Sequence, residues 1–330
     1  MPIVPVMWVV DSPRYAARGQ NIPMTTKLPT AALGRTGLQV TRLGFGAMEI
    51  RDRHVWGGRP VTEQQVDSLL NSVLDAGINF FDTSNDYGRS EEFIGKFLAK
   101  RRSEFVMATK CGCLVRKKDD GMFETPHVWT KENLFRGLHE SLQRLKTDAI
   151  DVMQLHNPSV EECETGKLVE ALQEMKKQGK VRHFGISTTL PHLPTYLKWG
   201  VFETFQIPYS GLQRDHEDWI TKSAQAGIGT IIRGGVAKGE YGIGPNASAD
   251  KWKKFDEAKL DELRAPGESR TALMLRFTLS HPHIQTIIAG TLKPEHLGEN
   301  VEATHRGPLS AELYAEAKRR LDSVGVTVAG

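Results

Sequence analysis

The stretch Thr62–Ser84, TEQQVDSLLNSVLDAGINFFDTS, places a helix directly before a buried strand. Its first part has apolar residues at intervals of three and four, which is the period of an amphipathic helix. These residues are Val66, Leu69, Leu70, Val73 and Leu74. Thr62 is of a type that caps helix starts, and Gly77 is of a type that ends helices. The run Ile78–Ser84 begins almost continuously apolar, as in a parallel strand buried on both faces. The stretch predicts one helix–strand unit of an α/β fold.

The same unit recurs along the chain from Leu38 onward. The strand candidates are Val40–Ala47, Ile78–Ser84, Phe105–Lys110, Ile150–His156, Val181–Ser187, Thr204–Tyr209, Gly229–Gly234 and Thr286–Gly290. Further helical faces follow Ser90, Thr130 and Leu168. Eight strands alternating with helices favour a (β/α)8 TIM barrel, with long loops at its C-terminal face. We predict a single domain over residues 33–330, preceded by a poorly ordered N-terminal extension, residues 1–25, which holds four prolines.

An open doubly wound sheet is the alternative α/β architecture. Such a sheet binds dinucleotides through G-x-G-x-x-G at its first strand-to-helix turn. The nearest match, Gly44–Glu49, reads GFGAME and lacks the third glycine. A nicotinamide site in this chain would therefore have to be built differently.

Composition excludes several function classes. The 43 basic and 40 acidic residues give a formal net charge of +3, whereas a nucleic-acid surface needs a clustered basic excess. No apolar run approaches the ~20 residues of a membrane helix. The apolar start Met1–Val10 lacks the basic segment of a signal peptide. These features predict a cytoplasmic protein, a monomer or small homo-oligomer, that binds neither nucleic acid nor membrane.

The three cysteines, Cys111, Cys113 and Cys163, are too few for a disulfide framework in a chain of this length. Cys111 and Cys113 would share one face of a strand, so a metal pair is one interpretation. No second cluster of ligand residues lies near them in the sequence, and a metal site normally needs one. We therefore interpret all three as free thiols and predict no metal site.

Four ionisable side chains follow three consecutive predicted strands at their carboxyl ends. Asp82 ends the second strand, and Tyr87 comes shortly after it. Lys110 ends the third strand and His156 the fourth. Singly, each has a structural interpretation, as a helix cap, a pocket wall, a solvated strand end or a buried histidine. Together they should converge on one small volume, because a barrel gathers its catalytic groups at this face.

These four groups form a coherent set for reducing a carbonyl. A phenol such as Tyr87 titrates near ~10, and a lysine ammonium beside it is expected to lower that pKa. An aspartate paired with Lys110 would keep the ammonium charged despite burial. A histidine can hydrogen-bond the carbonyl oxygen and fix its angle. General acid catalysis of this kind contributes ~10²–10⁴-fold.

Here the chain resembles a known family. The segments Phe81–Gly88, FDTSNDYG, and Glu91–Gly95, EEFIG, resemble the aldo-keto reductase signature around its catalytic Asp and Tyr. Thr109–Gly112, TKCG, and Ile150–His156, IDVMQLH, resemble the lysine and histidine strands of that family. The resemblance extends from about residue 33 to about residue 303 and so covers most of the chain.

The resemblance implies a (β/α)8 barrel that binds NADPH, or less often NADH, across its strand ends. It implies hydride transfer between nicotinamide and an aldehyde, ketone or sugar carbonyl, or the corresponding alcohol. In this role Tyr87 would be the proton donor, Lys110 and Asp82 would tune it, and His156 would orient the carbonyl.

Cofactor positions match the family less uniformly. At the fifth strand end, Thr188 follows Ser187 where the family usually has Asn. At the seventh, Arg233 replaces an aromatic residue that stacks on nicotinamide, and the following glycines either approach a pyrophosphate or form a simple turn.

Lys293 and His296 are the candidates for the 2′-phosphate of NADP, with NAD as the alternative cofactor. The implied ligands are Asp82, Ser187, Gln206, Arg233, Gly235, Thr291, Lys293, His296, Glu299 and Asn300.

Three long stretches are expected to shape the substrate pocket. They are residues 51–59, 113–129 and 236–268, the last of which has no clear strand and is predicted to be a loop. Candidate pocket walls are Met48, Trp56 and Trp129, although the two tryptophans could instead be surface aromatics or loop anchors.

Two other functions stay open. The first is a non-catalytic or redox-sensing subunit that binds the cofactor on the same barrel. The second is a lyase or isomerase, because a fold does not fix a function; such an enzyme would need phosphate-gripping or metal-binding rim residues, which the sequence does not indicate.

Overall fold

The strands of the chain close into a barrel in the computed structural model, which describes residues 27–239 and 249–329. The predicted extension, residues 1–25, lies outside the described residues. Eight parallel strands follow one another around the barrel in chain order, and the last pairs with the first. They are β3 (Leu43–Gly46), β4 (Phe80–Asp82), β5 (Val106–Cys111), β8 (Ile150–His156), β9 (Val181–Ser187), β10 (Thr204–Pro208), β11 (Gly229–Arg233) and β12 (Thr286–Ala289). The predicted (β/α)8 architecture is confirmed.

Helices surround the barrel and cover its strands. They are α1 (Glu63–Asp75), α2 (Ser90–Phe97), α3 (Lys131–Leu145), α4 (Val160–Thr165), α5 (Leu168–Lys177), α6 (Leu193–Trp199), α7 (Glu217–Gln225), α8 (Ala249–Glu257), α9 (Arg270–Leu279), α10 (Pro294–Arg306) and α11 (Ala311–Ser323). Thr62 and Thr130 cap α1 and α3 by accepting hydrogen bonds from the backbone N–H groups of Gln65 and Asn133. Both caps agree with the sequence analysis.

None of the described helices combines the length and the hydrophobicity that crossing a lipid bilayer requires.

The first predicted strand, Val40–Ala47, was wrong in its extent. The chain divides it at Arg42 into β2 (Gln39–Thr41) and the barrel strand β3. The first piece pairs antiparallel with β1 (Thr30–Ala32), so the described fold starts before residue 33. This hairpin carries Leu33 and Val40 into the bottom of the barrel, where both are fully buried.

The barrel interior has an apolar layer beneath a polar one. The apolar layer consists of Leu33, Val40, Phe80, Ala108, Val152 and Ile231. Two positions further along four of the strands, toward their carboxyl ends, stand Asp82, Lys110, Gln154 and Arg233. Because side chains alternate between faces with a period of two, these polar groups continue the same inner face. The polar layer thus lies at the end of the barrel where such folds place their active sites.

Two of the long loops contain structure of their own. The stretch 113–129 includes a small antiparallel hairpin, β6 (Arg116–Lys117) with β7 (Phe123–Glu124). The stretch 236–268 contains helix α8 and a short 3₁₀ turn, Leu260–Leu263, where we predicted a loop. Trp252 and Phe255 are both buried on one face of α8, and their spacing of three residues is typical of a helix. Residues 240–248 of this stretch lie outside the described part.

Candidate active site

Asp82, Tyr87, Lys110 and His156 meet at the carboxyl end of the barrel. The Lys110 Nζ lies 2.7 Å from Asp82 Oδ2, and both side chains are almost completely buried. The same Nζ donates to the Thr83 carbonyl at 2.8 Å and lies 4.9 Å from the centre of the Tyr87 ring. The Tyr87 and His156 rings meet edge to face, with centroids 6.1 Å apart. The convergence inferred from adjacent strand ends is therefore present in the structure.

A tight turn after β4 carries Tyr87 to this position. Tyr87 N donates to the Ser84 carbonyl at 3.1 Å, and Ser90 N donates to the Tyr87 carbonyl at 2.9 Å. Gly88 has a φ of +49°, and a Cβ at this position would lie 2.1 Å from the Arg51 carbonyl oxygen. Only glycine satisfies both conditions, so the glycine that follows Tyr87 fixes the turn against the neighbouring loop.

Two amide side chains bind the Asp82 carboxylate in addition to Lys110. Its Oδ1 accepts hydrogen bonds from Gln154 Nε2 at 2.9 Å and from Gln206 Nε2 at 2.7 Å. Gln154 was not among the predicted site residues, although it stands two positions before His156 and so on the same strand face. Two amides and one ammonium together satisfy a carboxylate that would be costly to bury alone.

The pKa of Tyr87 is raised, whereas the sequence led us to expect that the Lys110 ammonium would lower it. Burial raises the pKa of Tyr87, and this effect outweighs the opposing one of the Lys110 ammonium; the Asp82 and Asp86 carboxylates raise it further. The pKa of Lys110 is also raised, because the carboxylate of Asp82 and the Tyr87 hydroxyl together outweigh the lowering caused by burial. Tyr87 therefore carries its proton at neutral pH, and Lys110 stays charged.

His156 lies at the end of β8 with its Nδ1 facing a polar cluster. That atom is 3.2 Å from Cys113 Sγ, 3.5 Å from Ser84 Oγ and 3.5 Å from Asp86 Oδ2. Burial lowers the pKa of His156 to about 3, with Lys110 among the cations that add to this effect and Asp86 opposing it. The imidazole is therefore neutral at physiological pH and can both accept and donate a hydrogen bond.

Arg233, at the end of β11, is the largest departure from the family pattern. It occupies the inner polar layer, and burial lowers its pKa while the Tyr87 and Asp82 groups oppose that change. Its Nε is buried without a hydrogen-bond partner among the described residues. Such a group is costly to leave unpaired, so the guanidinium is suited to a polar or anionic partner in the cleft.

Three other predicted cofactor residues have partners within the protein. Ser187 Oγ donates to Asn157 Oδ1 at 2.9 Å, and Gln206 binds Asp82 as described above. Gly235 accepts from Thr278 Oγ1 at 2.7 Å through its carbonyl, and a Cβ there would lie 2.4 Å from the Ile287 side chain. Close packing alone therefore accounts for the glycine at 235.

The remaining predicted cofactor residues cluster after β12. Thr291 and Asn300 are buried, whereas Lys293 is exposed. His296 and Glu299 are partly exposed in α10. The α10 helix starts at Pro294 with Lys293 as its N-cap, so the lysine stands beside backbone N–H groups that favour anions.

The candidate pocket walls differ in their surroundings. The Trp56 ring, 49% exposed, meets the edge of Tyr87 at a centroid distance of 5.9 Å. Met48 is partly exposed in the 3₁₀ turn after β3. Trp129 packs on Gly112, where a Cβ would lie 1.9 Å from its ring. Trp56 therefore borders the cleft, and Trp129 anchors the loop that carries Cys113.

The structure also brings together a set that the sequence analysis did not find. Ligand atoms of Asp86, Cys113, His127 and His156 all lie within 4.8 Å of one another. These residues are up to 70 positions apart and come from two loops and one strand end, so no spacing in the sequence indicates them. The prediction of no metal site therefore lacks its main argument, which was the absence of a second ligand cluster.

Comparisons with known proteins agree with this architecture. The sequence profile of the Aldo/keto reductase family matches residues 42–321. An uncharacterised oxidoreductase, YqkF, from Bacillus subtilis is 30% identical over 295 residues, which are 85% of this chain and 92% of that protein. The L-galactose dehydrogenase of Arabidopsis thaliana is 28% identical over 305 residues, covering 84% and 88% of the two chains.

A solved structure is similar over nearly the whole chain. The aldo-keto reductase AKR11C1 of Bacillus halodurans, in its holo form, superimposes with a TM-score of 0.77 at 27% identity and covers 91% of this chain and 98% of that one. The family profile spans most of the barrel, and the closed eight-stranded barrel agrees with it. This chain therefore belongs to the aldo/keto reductase family of NAD(P)-dependent oxidoreductases.

Proposed function

We propose that the protein reduces an aldehyde, ketone or sugar carbonyl with hydride from NADPH, and that Tyr87 is the general acid. One observation carries this proposal: the buried Lys110–Asp82 pair lies directly against Tyr87. Paired charges of this kind are costly to bury. Their position beside a phenol at the barrel mouth supports a catalytic role more than a purely structural one.

The residues present fit a nicotinamide dinucleotide. The buried Arg233 Nε needs a polar partner, and the start of α10 offers an exposed lysine beside free helix N–H groups. Arg233, Ser187 and Gln206 would hold the nicotinamide end, while Lys293 and its neighbours in α10 would hold the adenosine end. The bound cofactor would supply the hydride. The positive charge of Arg233 would favour the reduced, uncharged nicotinamide over the oxidised cation.

The side chains of the protein would then control the proton and the carbonyl. Tyr87 holds a proton at neutral pH, which is the state a general acid needs. Its hydroxyl would donate that proton to the carbonyl oxygen as negative charge develops there. His156, neutral and largely buried, would hydrogen-bond the same oxygen and fix its angle. Lys110 would stabilise the phenolate that remains.

Incubation of the purified full chain with NADPH and a panel of aldehydes, ketones and sugars tests this function. We expect NADPH oxidation with the more reactive carbonyls. If the protein binds NADPH tightly and turns over none of them, the non-catalytic binding subunit becomes the better account.

Cofactor preference is expected to depend on Lys293. NADP and NAD differ only in the 2′-phosphate, so a cation beside that group stabilises NADPH binding alone. A charge-assisted hydrogen bond contributes ~1.5–3 kcal/mol, and Lys293→Ala should therefore weaken NADPH binding about tenfold or more while leaving NADH binding unchanged. Dissociation constants for both cofactors, measured by titration, check this.

A matched control for this substitution is Lys177→Ala, which removes another exposed helix lysine, at the end of α5. It should leave both dissociation constants unchanged. Equal weakening of the two cofactors in Lys293→Ala, or no change in either, would remove Lys293 from the phosphate site.

A further inference from the structure

We propose that Asp86, Cys113, His127 and His156 form a binding site for a divalent transition-metal ion, best suited to Zn²⁺, at the mouth of the barrel. The inference goes beyond the proposed reductase activity and does not depend on it, since its test uses neither cofactor nor substrate. The donor set is one thiolate sulfur, two imidazole nitrogens and one carboxylate oxygen. These are the ligand types that zinc prefers.

Three of the donor atoms lie within a few tenths of an ångström of the spacing of a tetrahedral site. Zinc binds sulfur at ~2.3 Å and nitrogen or oxygen at ~2.0–2.2 Å, so neighbouring ligands of one ion lie about 3.3–3.6 Å apart. Cys113 Sγ is 3.1 Å from Asp86 Oδ2 and 3.2 Å from His156 Nδ1. His156 Nδ1 is 3.5 Å from Asp86 Oδ2. An ion would replace the weak hydrogen bonds within this triangle by coordination.

His127 supplies the fourth donor from the opposite strand of the same loop. Cys113 and His127 are paired in an antiparallel β-bridge, which sets their side chains side by side. The His127 ring lies 5.5 Å from the His156 ring, centre to centre. Its donor atom is within 4.8 Å of the other three, and because the side chain is exposed a small rotation would close the remaining gap.

Two asparagine side chains fix the backbone around these ligands. Asn85 Nδ2 donates to the Cys113 carbonyl at 3.0 Å. Asn133 Nδ2 donates to the Gly112 carbonyl at 3.1 Å and to the Val128 carbonyl at 2.8 Å. It thus joins the two chain segments immediately beside Cys113 and His127. Metal sites commonly need this kind of outer support to hold their ligands in place.

Charge also fits a divalent ion. The Asp86 carboxylate and the Cys113 thiolate carry two negative charges, and two neutral imidazoles add none. On coordination the thiol proton would pass to solvent, because the metal binds the thiolate form. The Lys110 ammonium acts on Cys113 through its charge, and that charge is balanced by Asp82 at 2.7 Å.

Metal binding to the full chain, freed of metal by chelation, tests the proposal. Zinc is titrated in competition with a chromophoric chelator, and cobalt is used as a spectroscopic probe. We expect one zinc ion per chain and a thiolate-to-cobalt charge-transfer band. Cys113→Ser should abolish that band and weaken zinc binding about 100-fold or more, because losing even a supporting residue of a metal site costs about 10–100-fold in affinity. Cys163→Ser, which removes another buried thiol in α4, should change neither.

His127→Ala is the second variant. The position is exposed, and circular dichroism checks that the variant folds. It should weaken zinc binding about tenfold or more. The proposal is overturned if the wild-type chain binds no zinc at one ion per chain, if the cobalt band survives Cys113→Ser, or if zinc affinity is unchanged in either variant.

Discussion

Replacing Tyr87 with phenylalanine is expected to lower kcat for carbonyl reduction by ~10²–10⁴-fold, the contribution of a positioned general acid. The change deletes the hydroxyl and keeps the ring that packs against Trp56 and His156. No predicted nucleotide ligand is altered, so the dissociation constant for NADPH should stay nearly the same. Steady-state kinetics with a reactive aldehyde and a cofactor titration measure the two quantities.

Tyr196→Phe provides the matched control. The Tyr196 hydroxyl is buried and donates to the Pro158 carbonyl at 2.8 Å, so the same atom is removed from a position in α6 outside the polar layer. This variant should keep its kcat. A Tyr87→Phe enzyme that retained more than about a tenth of wild-type kcat would exclude Tyr87 as the essential acid.

Removing one partner of the buried Lys110–Asp82 pair is expected to have the largest effect on stability. Asp82→Ala would leave the Lys110 ammonium without its counter-ion in the barrel interior, and it would also take the acceptor from Gln154 and Gln206. Breaking a buried pair in this way costs about 3–5 kcal/mol of the free energy of unfolding. Chemical denaturation with circular dichroism as the probe measures this loss.

A double variant distinguishes the loss of the ion pair from the cost of leaving one of its charges unpaired. Asp82→Ala with Lys110→Met removes both charges, and it should be less destabilised than the sum of the two single changes because no unpaired charge remains. Glu174→Ala, which breaks the exposed Lys131–Glu174 pair, should leave stability almost unchanged. Strict additivity of the Asp82 and Lys110 changes would contradict the coupling.

Periodic features of the fold could be predicted from the sequence because they depend on local patterns. The strands Ile150–His156 and Val181–Ser187 form with the predicted bounds, and most of their residues are buried, as in a strand covered on both faces. Thr62 and Thr130 cap their helices. The division of the first strand at Arg42 was not predictable, because antiparallel pairing with residues before the barrel determines it.

Parts of the site depend on tertiary contacts that no local pattern encodes. The raised pKa of Tyr87 is an example, because its sign follows from burial, which the presence of a nearby lysine does not reveal. Gln154 could have been found from the period of two that leads to His156. Asp86 and His127, by contrast, meet only through the folding of separate loops.

The most direct test of hydride transfer follows the transferred atom itself. Full-length protein is incubated with a reactive aldehyde and NADPH that carries deuterium at C4 of the nicotinamide, prepared in both stereochemical forms. Mass spectrometry of the product alcohol then reports the label. We predict deuterium in the alcohol from one form only, in amounts equal to the NADPH consumed. Alcohol without label from either form, or no alcohol with NADPH intact, would contradict the proposal that this barrel is a carbonyl reductase.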